Sequence, residues 1–206
     1  NVVKRLIKAR GFSALIFLLM LFVGVGAINP AFLTPANIAA CFNTSVVYTL
    51  VAVGVAFTLF IGEIDVSVGS NLGLVAAVVG TMLRDGQPLI AAIAVGIVLG
   101  ALIGLVNAWG VAVMKAPSLI FTLGVNGVLR GIIYVYTNGA WVENLPKRFK
   151  DFSAVTGIGN LTVYYCAVIA LVILIHLTLV KTRQGRWFAA VGDNANGATL
   201  VGLPTL

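Results

Sequence analysis

Six carboxylates, one histidine and two cysteines supply the carboxyl, imidazole and thiol groups of this chain of 206 residues. The carboxylates are Glu63, Asp65, Asp85, Glu143, Asp151 and Asp193, and the histidine is His176. Cys41 and Cys166 lie far apart and match neither zinc nor haem spacing, so they read as small apolar residues. No G-x-x-x-x-G-K-[ST] phosphate loop, no H-E-x-x-H and no G-x-S-x-G is present. Metal chemistry or hydrolysis needs clustered ligands, or a nucleophile beside a base. The pattern therefore predicts no catalytic residue, no metal site and no cofactor, and hence no enzyme. Proton- or sodium-driven transport needs acids at membrane depth. Here all six fall at span ends or in loops, which counts against ion coupling.

The elements that hold these few groups are apolar. Sixty per cent of the residues are hydrophobic before the 23 glycines are counted, and 9% are charged. A soluble domain has about 25% charged residues, so a soluble globular domain, a disordered chain and a disulfide-stapled module are excluded. No Asp, Glu, Lys, Arg or His occurs between Arg10 and Glu63, and later gaps run from Val66 to Leu83, Gly86 to Met114 and, apart from His176, Phe152 to Leu179. A spanning helix needs about 20 apolar residues. The expectation is an all-α membrane protein, a polytopic bundle with spans at 12–28, 38–61, 67–83, 88–113, 118–137 and 161–180. Asn29-Pro30 and Thr34-Pro35 separate the first two. A membrane barrel would instead show alternating segments of about ten residues.

Basic residues orient the bundle. With the N-terminus inside, cytoplasmic segments hold Lys4, Arg5, Lys8, Arg10, Lys115, Lys181, Arg183 and Arg186, and external ones hold Arg84, Lys147, Arg148 and Lys150. The net charge of +7 is mostly this orientation signal. The basic residues form no stripe beside aromatics, so nucleic acid is not an expected partner. The start is not read as a cleavable signal peptide, because its apolar stretch is too long and no clean A-x-A site follows. Gly96, Gly100 and Gly104, Gly69 and Gly73, and Gly127 and Gly131 recur every fourth residue, a small-xxx-small spacing that lets helices approach in a bilayer.

Four segments remain. Gly62 to Ser70 is a short charged turn containing Asp65, Ser67 and Gly69; it reads either as a plain tight turn or with Asp65 capping the next helix. Leu105 to Gly110 and Pro117 to Gly131 hold Asn107, Phe121, Asn126 and Arg130. Pro117 marks a helix start. Arg130, about 20 Å along that helix past Lys115, either snorkels outward or lines a polar cavity. Thr182 to Arg186 lies just inside the last span. Finally, Ala190 to Pro204 predicts a short cytoplasmic helix over 192–203, with Asp193 or Asn194 as N-cap and Gly202 with Pro204 as its stop. That helix lies on lipid or docks on a soluble partner.

At these segments the sequence resembles the permease subunits of bacterial ABC importers for ribose-type sugars, rhamnose and autoinducer-2, within the branched-chain amino-acid permease superfamily. The G-G-I-D-L-S-V-G-S pattern reads as Gly62 to Ser70, with Glu63 in place of the second glycine. G-x-x-N-G-x-L reads as Gly104 to Val111, with Ala108 where glycine is usual, P-x-F-I-x-T-L-G…R-G as Pro117 to Gly131, and T-x-x-G-R…A-x-G-x-N-x-x-A-A-x-x-x-G-I as Thr182 to Leu203. The loop from Thr137 to Pro146 and Gly192-Asp193-Asn194 lean toward the autoinducer-2 and rhamnose types.

The resemblance implies an inner-membrane permease working as a homo- or heterodimer, fed by a periplasmic solute-binding protein and driven by a cytoplasmic ATPase pair. It makes Gly192, Asp193, Asn194, Ala198, Leu200 and Gly202 the ATPase-coupling segment. A sugar pathway suits polar and aromatic span residues; Asn43, Ser45, Asn71, Asn107, Phe121, Asn126 and Arg130 are candidates, and each is equally suited to an interhelical hydrogen bond. Family permeases are longer, so residues 1–206 are expected to be the N-terminal part of one and not to transport alone, which uptake in a permease-null strain would test. A branched-chain amino-acid permease and a helical scaffold without transport are the alternatives.

Overall fold

The structure is a computed structural model and describes residues 12–203. The basic residues Lys4, Arg5, Lys8 and Arg10, and the expected stop at Pro204, lie outside the described residues. The described chain is helical, with no strand beyond one isolated bridge between Thr156 and Thr162.

Helix α1, Phe12–Ile28, is apolar all round and ends where Asn29 and Pro30 follow. Asn29 Oδ1 accepts from Ala31 N at 3.1 Å and starts a single 3-10 turn, Pro30–Leu33. Thr34 is extended, as a residue before proline must be, and Pro35 opens α2, Pro35–Phe60. Helix α3 is Val68–Arg84. Helix α4, Leu89–Ala108, continues into a π turn, Trp109–Val113, that closes at Lys115 with φ of 56°. Helix α5 is Ser118–Thr137 and stops at left-handed Asn138. A short α6, Lys147–Ser153, precedes α7, Val163–Lys181; then come α8, Arg183–Asp193, and α9, Ala195–Leu200.

Four stretches are long and apolar enough to cross a membrane: α2, α4 with its π extension, α5 and α7. Helices α1 and α3, 17 residues each, are shorter, about 25 Å at helical rise. The six helices, α4 counted with its π extension, lie within three residues of the expected segments at each end, and four of them have the length and apolarity of a span. Ser70, Leu74, Ala77, Gly80 and Leu83 bury one stripe of α3 at helical spacing. Leu74 meets Ile103 of α4 and Leu129 of α5, and these three form the core. Helix α2 instead packs along α7 and touches α8. Elsewhere the apolar faces point outward, as lipid-solvated helices do. The glycine rows are used in part. A Cβ at Gly96 would sit 2.9 Å from Val79, and one at Gly73 would sit 3.2 Å from Ile133. Gly69, Gly104, Gly127 and Gly131 have no described atom within 4 Å of that position, so these four do not mediate close packing here. Cys41 and Cys166 are free and half-buried rather than buried.

Asn43 fixes the α2–α7 pair. Its Oδ1 accepts from Thr162 N at 2.8 Å and Thr162 Oγ1 at 3.2 Å, while its Nδ2 donates to Asn160 O at 3.1 Å. Thr162 caps α7 by accepting from Tyr165 N, and Phe42 tilts against Tyr165 with centroids 5.6 Å apart. Asn43→Leu strands these groups and is expected to destabilise the chain by about 1–2 kcal/mol. Ser45→Ala removes only an intrahelical bond from Ser45 Oγ to Phe42 O. The contrast reads directly as a fall in thermal midpoint for the first and none for the second.

Candidate functional site

The turn between α2 and α3 gathers three of the four segments. Gly62 has φ of 82°, a left-handed conformation that a glycine adopts freely and a side chain resists. Glu63 is not among the positive-φ residues. A side chain in place of the family's second glycine therefore meets no backbone strain. Asp65 follows, and its carboxylate organises the turn. Its Oδ1 accepts from Ser67 N at 2.8 Å and from Ser67 Oγ at 2.7 Å; its Oδ2 accepts from Asn107 Nδ2 at 3.2 Å. Asn107 Nδ2 also donates to Ser67 Oγ at 2.7 Å. Ser67, fully buried, occupies the N-cap position of α3. Asp65 thus acts one step earlier than a cap of α3 would, on the capping residue itself.

Helix α5 holds the same turn from the other side. Ile64 N donates to Ser118 Oγ at 3.2 Å and Val66 N donates to Thr122 Oγ1 at 3.1 Å. Thr122 is 2% exposed and donates to Ser118 O at 2.8 Å, with a longer 3.3 Å approach to Ile64 O. The turn has no helix partners for these two N–H groups, and α5 supplies them from its first two turns. Behind it, Phe121 lays its ring on Gly110 of the π turn, where any Cβ would collide with the ring.

The fourth segment reaches the turn through backbone contact. Gly192, near the end of α8, lies on the carbonyl of Phe60, and Gly62 sits opposite Gly192 O. Phe188 meets Phe57 edge-on with centroids 6.3 Å apart. Gly192 and Asp193 belong to the last turn of α8, so the helix expected over 192–203 is shorter, Ala195–Leu200. The boundary is set by Asn194, whose Oδ1 accepts from Gly197 N at 2.9 Å. Gly202, with φ of 77°, ends it: Gly202 N donates to Thr199 O and Leu203 N to Ala198 O. Ala198 is 4% exposed and faces the chain, whereas Leu200 is 88% exposed.

The carboxylate of Asp65 is engaged by three donors, so this arrangement clamps a turn and offers no base or ligand set. The candidate pathway residues are not brought together. Asn107 belongs to the clamp, Asn43 to the α2–α7 contact, and Ser45 to an intrahelical bond. Asn71 faces Gly100, Asn126 is half-buried, and Arg130 is exposed two turns beyond Thr122. Of the seven, Phe121 alone lines the groove of about 600 Å³ between α4 and α5, whose other walls include Ile103, Val106, Ile120 and Val128. Sequence reasoning passed over Ser118 and Thr122 as site residues. Their signal was available: two hydroxyls four apart in the first two turns after Pro117 share one helix face.

Residues 37–206 match the family described as branched-chain amino acid transport system / permease component. The autoinducer 2 import system permease protein LsrC of Enterobacter sp. (strain 638) is 37% identical over 200 residues, covering 97% of this chain and 58% of that relative. LsrC of Salmonella typhi is 35% identical over 193 residues, covering 94% and 55%. LsrC of Escherichia coli O157:H7 is 36% identical over 201 residues, covering 95% and 57%. The chain thus spans little more than half the length of these relatives. No solved structure matches.

Proposed function

The chain belongs to the branched-chain amino acid transport system / permease component family, and from that premise we propose that it is part of the permease subunit of an ABC importer for autoinducer-2 or a related sugar-like solute. The observation that carries the substrate class is its similarity, at 37% identity along 97% of the chain, to an autoinducer 2 import permease. In this reading α1–α5 and α7 are six spans in the inner membrane, with the N-terminus cytoplasmic. The α2–α3 turn and α8–α9 then share the cytoplasmic end. A periplasmic binding protein delivers solute, a second permease subunit completes the pathway, and a separate ATPase supplies the energy. Asn71, Asn126 and Arg130 remain candidates for the pathway.

The coupling role falls on α8 and α9 together. Ala198 and Asn194 shape α9, and Leu200 with Val201, 75% exposed, is what a partner can grip. Leu200→Asp is expected to weaken co-purification with the co-expressed ATPase at least about tenfold without moving the thermal midpoint. Ala198→Glu, which forces a carboxylate into a buried position, lowers both. Equal ATPase recovery from Leu200→Asp and the unaltered chain would remove α9 from the interface.

The family's own description favours a second reading, a branched-chain amino-acid permease. Uptake separates the two. Cells lacking their own autoinducer-2 permease, given the full-length gene that encodes this chain and its partner subunits, are expected to take up labelled autoinducer-2. Uptake of leucine with none of autoinducer-2, ribose or rhamnose would establish the second reading instead.

A further inference from the structure

At the junction of α7 and α8 stand Lys181, Arg183 and Arg186, all exposed. The ion pair found among the described residues joins Arg84 and Asp85, so no described carboxylate neutralises these three. Asp193, the acid on α8, lies seven residues beyond Arg186, about 10 Å along the helix.

The junction is held rigidly. Thr182 is extended and interrupts the helix; its Oγ1 donates to Thr178 O at 2.5 Å and accepts from Gly185 N at 3.1 Å. Gly185 is buried against the backbone of Leu179, where a Cβ would collide. Helix α8 therefore folds tightly against the last turn of α7. Phe188 anchors one side of it on Phe57 of α2. The Arg183 guanidinium lies 4.8 Å over the half-buried ring of Trp187, and Arg186 Nη1 donates to Lys181 O at 3.4 Å. These contacts restrain both arginines before any partner arrives.

Depth decides what that partner is. Helix α7 is 19 residues long and almost wholly apolar, and it ends at Lys181. Cations in its last turn and in the first turn of a folded-back helix stand at headgroup level, where tryptophan also concentrates. An amphipathic helix with arginines on its polar side lies in that interface and draws anionic lipid. A guanidinium matches phosphate oxygens two at a time. The surface offered to a soluble protein is a different one, at Leu200 and Val201 on α9.

We propose that Lys181, Arg183 and Arg186, with Trp187 beside them, form a binding surface for the phosphate of an anionic phospholipid headgroup. This surface depends on residence in the bilayer and not on solute import, so it stands or falls separately from the transport reading.

The test uses the full-length chain in nanodiscs with Trp187 as its only tryptophan. Phosphatidylglycerol or phosphatidylcholine with brominated acyl chains is added at increasing mole fraction, and quenching of Trp187 is read. Phosphatidylglycerol is expected to quench at a several-fold lower mole fraction, and added salt should shrink the difference. Arg183→Gln with Arg186→Gln should bring the two curves together, while Arg183→Lys with Arg186→Lys keeps part of the preference. Equal quenching by the two lipids in the unaltered chain, a preference indifferent to salt, or one that survives both glutamines overturns the proposal. If the glutamine pair does not fold, the salt titration of the unaltered chain still decides. Loss of ATPase association in the glutamine pair with an unmoved lipid preference assigns the patch to a protein partner and overturns the proposal as well.

Discussion

Replacing Asp65 by Ala is expected to destabilise the chain by about 2–3 kcal/mol and to release the α2–α3 turn from α4. Single interhelical hydrogen bonds within membranes average only about 0.6 kcal/mol, so one lost contact would be a small effect. Asp65 is different because one ionised group accepts from three donors, Ser67 N, Ser67 Oγ and Asn107 Nδ2. Ser67 is fully buried; its N–H is stranded and its hydroxyl loses its acceptor while still accepting from Asn107 Nδ2, and an unpaired buried group carries a desolvation penalty of about 1–3 kcal/mol. Asn107→Leu should cost less, about 1 kcal/mol. Its buried Oδ1 has no hydrogen-bond partner among the described residues, so an unpaired acceptor leaves with the amide. Asp65 is half-exposed, and water can reach the oxygen that Asn107 vacates. The two substitutions share one network, so the double variant should cost about 1 kcal/mol less than the sum of the singles. Glu63→Ala is the control, since that side chain joins none of these bonds. Thermal midpoints in detergent check the set; an Asp65→Ala midpoint equal to that of Glu63→Ala would refute the clamp.

That clamp also shows where sequence reading stops. Helix positions were legible because each depends on its own residues: apolar length, the prolines at 30, 35 and 117, and the glycine at 62. The break at Asn29-Pro30 is local chemistry, and it stands where expected. Partnerships across the bundle are another matter. Asn43 and Thr162 are 119 residues apart, and nothing in either neighbourhood specifies the other. A polar residue in a span suits a pathway and a clamp equally well, and only the fold chooses. In this structure Asn43 joins α2 to α7, Asn107 belongs to the clamp and Ser45 makes an intrahelical bond. The glycine rows hold only at Gly73 and Gly96 for the same reason: spacing gives a smooth helix face, while the neighbour that exploits it comes from elsewhere in the chain. The end of α8 was misplaced for a subtler reason. Both Asp193 and Asn194 are good N-caps, and capping by Asn194 leaves Gly192 and Asp193 on the preceding helix.

Gly192 then carries the second large expected effect. It is not a positive-φ residue, so its need for glycine is spatial rather than conformational. Its Cα rests on the Phe60 carbonyl, and a Cβ would also come within 3.3 Å of Ile61 Cα. Both neighbours are backbone at the end of α2, so neither can rotate away. Gly192→Val must therefore lift α8 off α2 and open the Phe57–Phe188 contact. Overpacking costs about 1–3 kcal/mol when side chains can yield, and the rigid backbone on both sides puts this variant at about 3 kcal/mol. The functional consequence follows from what the contact joins. Helix α8 leads into the proposed ATPase-binding helix, and α2 leads into the turn clamped by Asp65, Ser118 and Thr122. The Gly192–Phe60 contact is a backbone link between the two, and in the transport reading proposed above it is the route by which nucleotide-driven motion would cross. Gly192→Ala, the gentler change, is expected to keep ATPase co-purification, since Leu200 is untouched, and to lower solute uptake at least about tenfold. Leu200→Asp gives the opposite pattern, with association lost first. Uptake at the unaltered level from Gly192→Ala, in cells where the ATPase still co-purifies, would show that motion reaches the α2–α3 turn by another route.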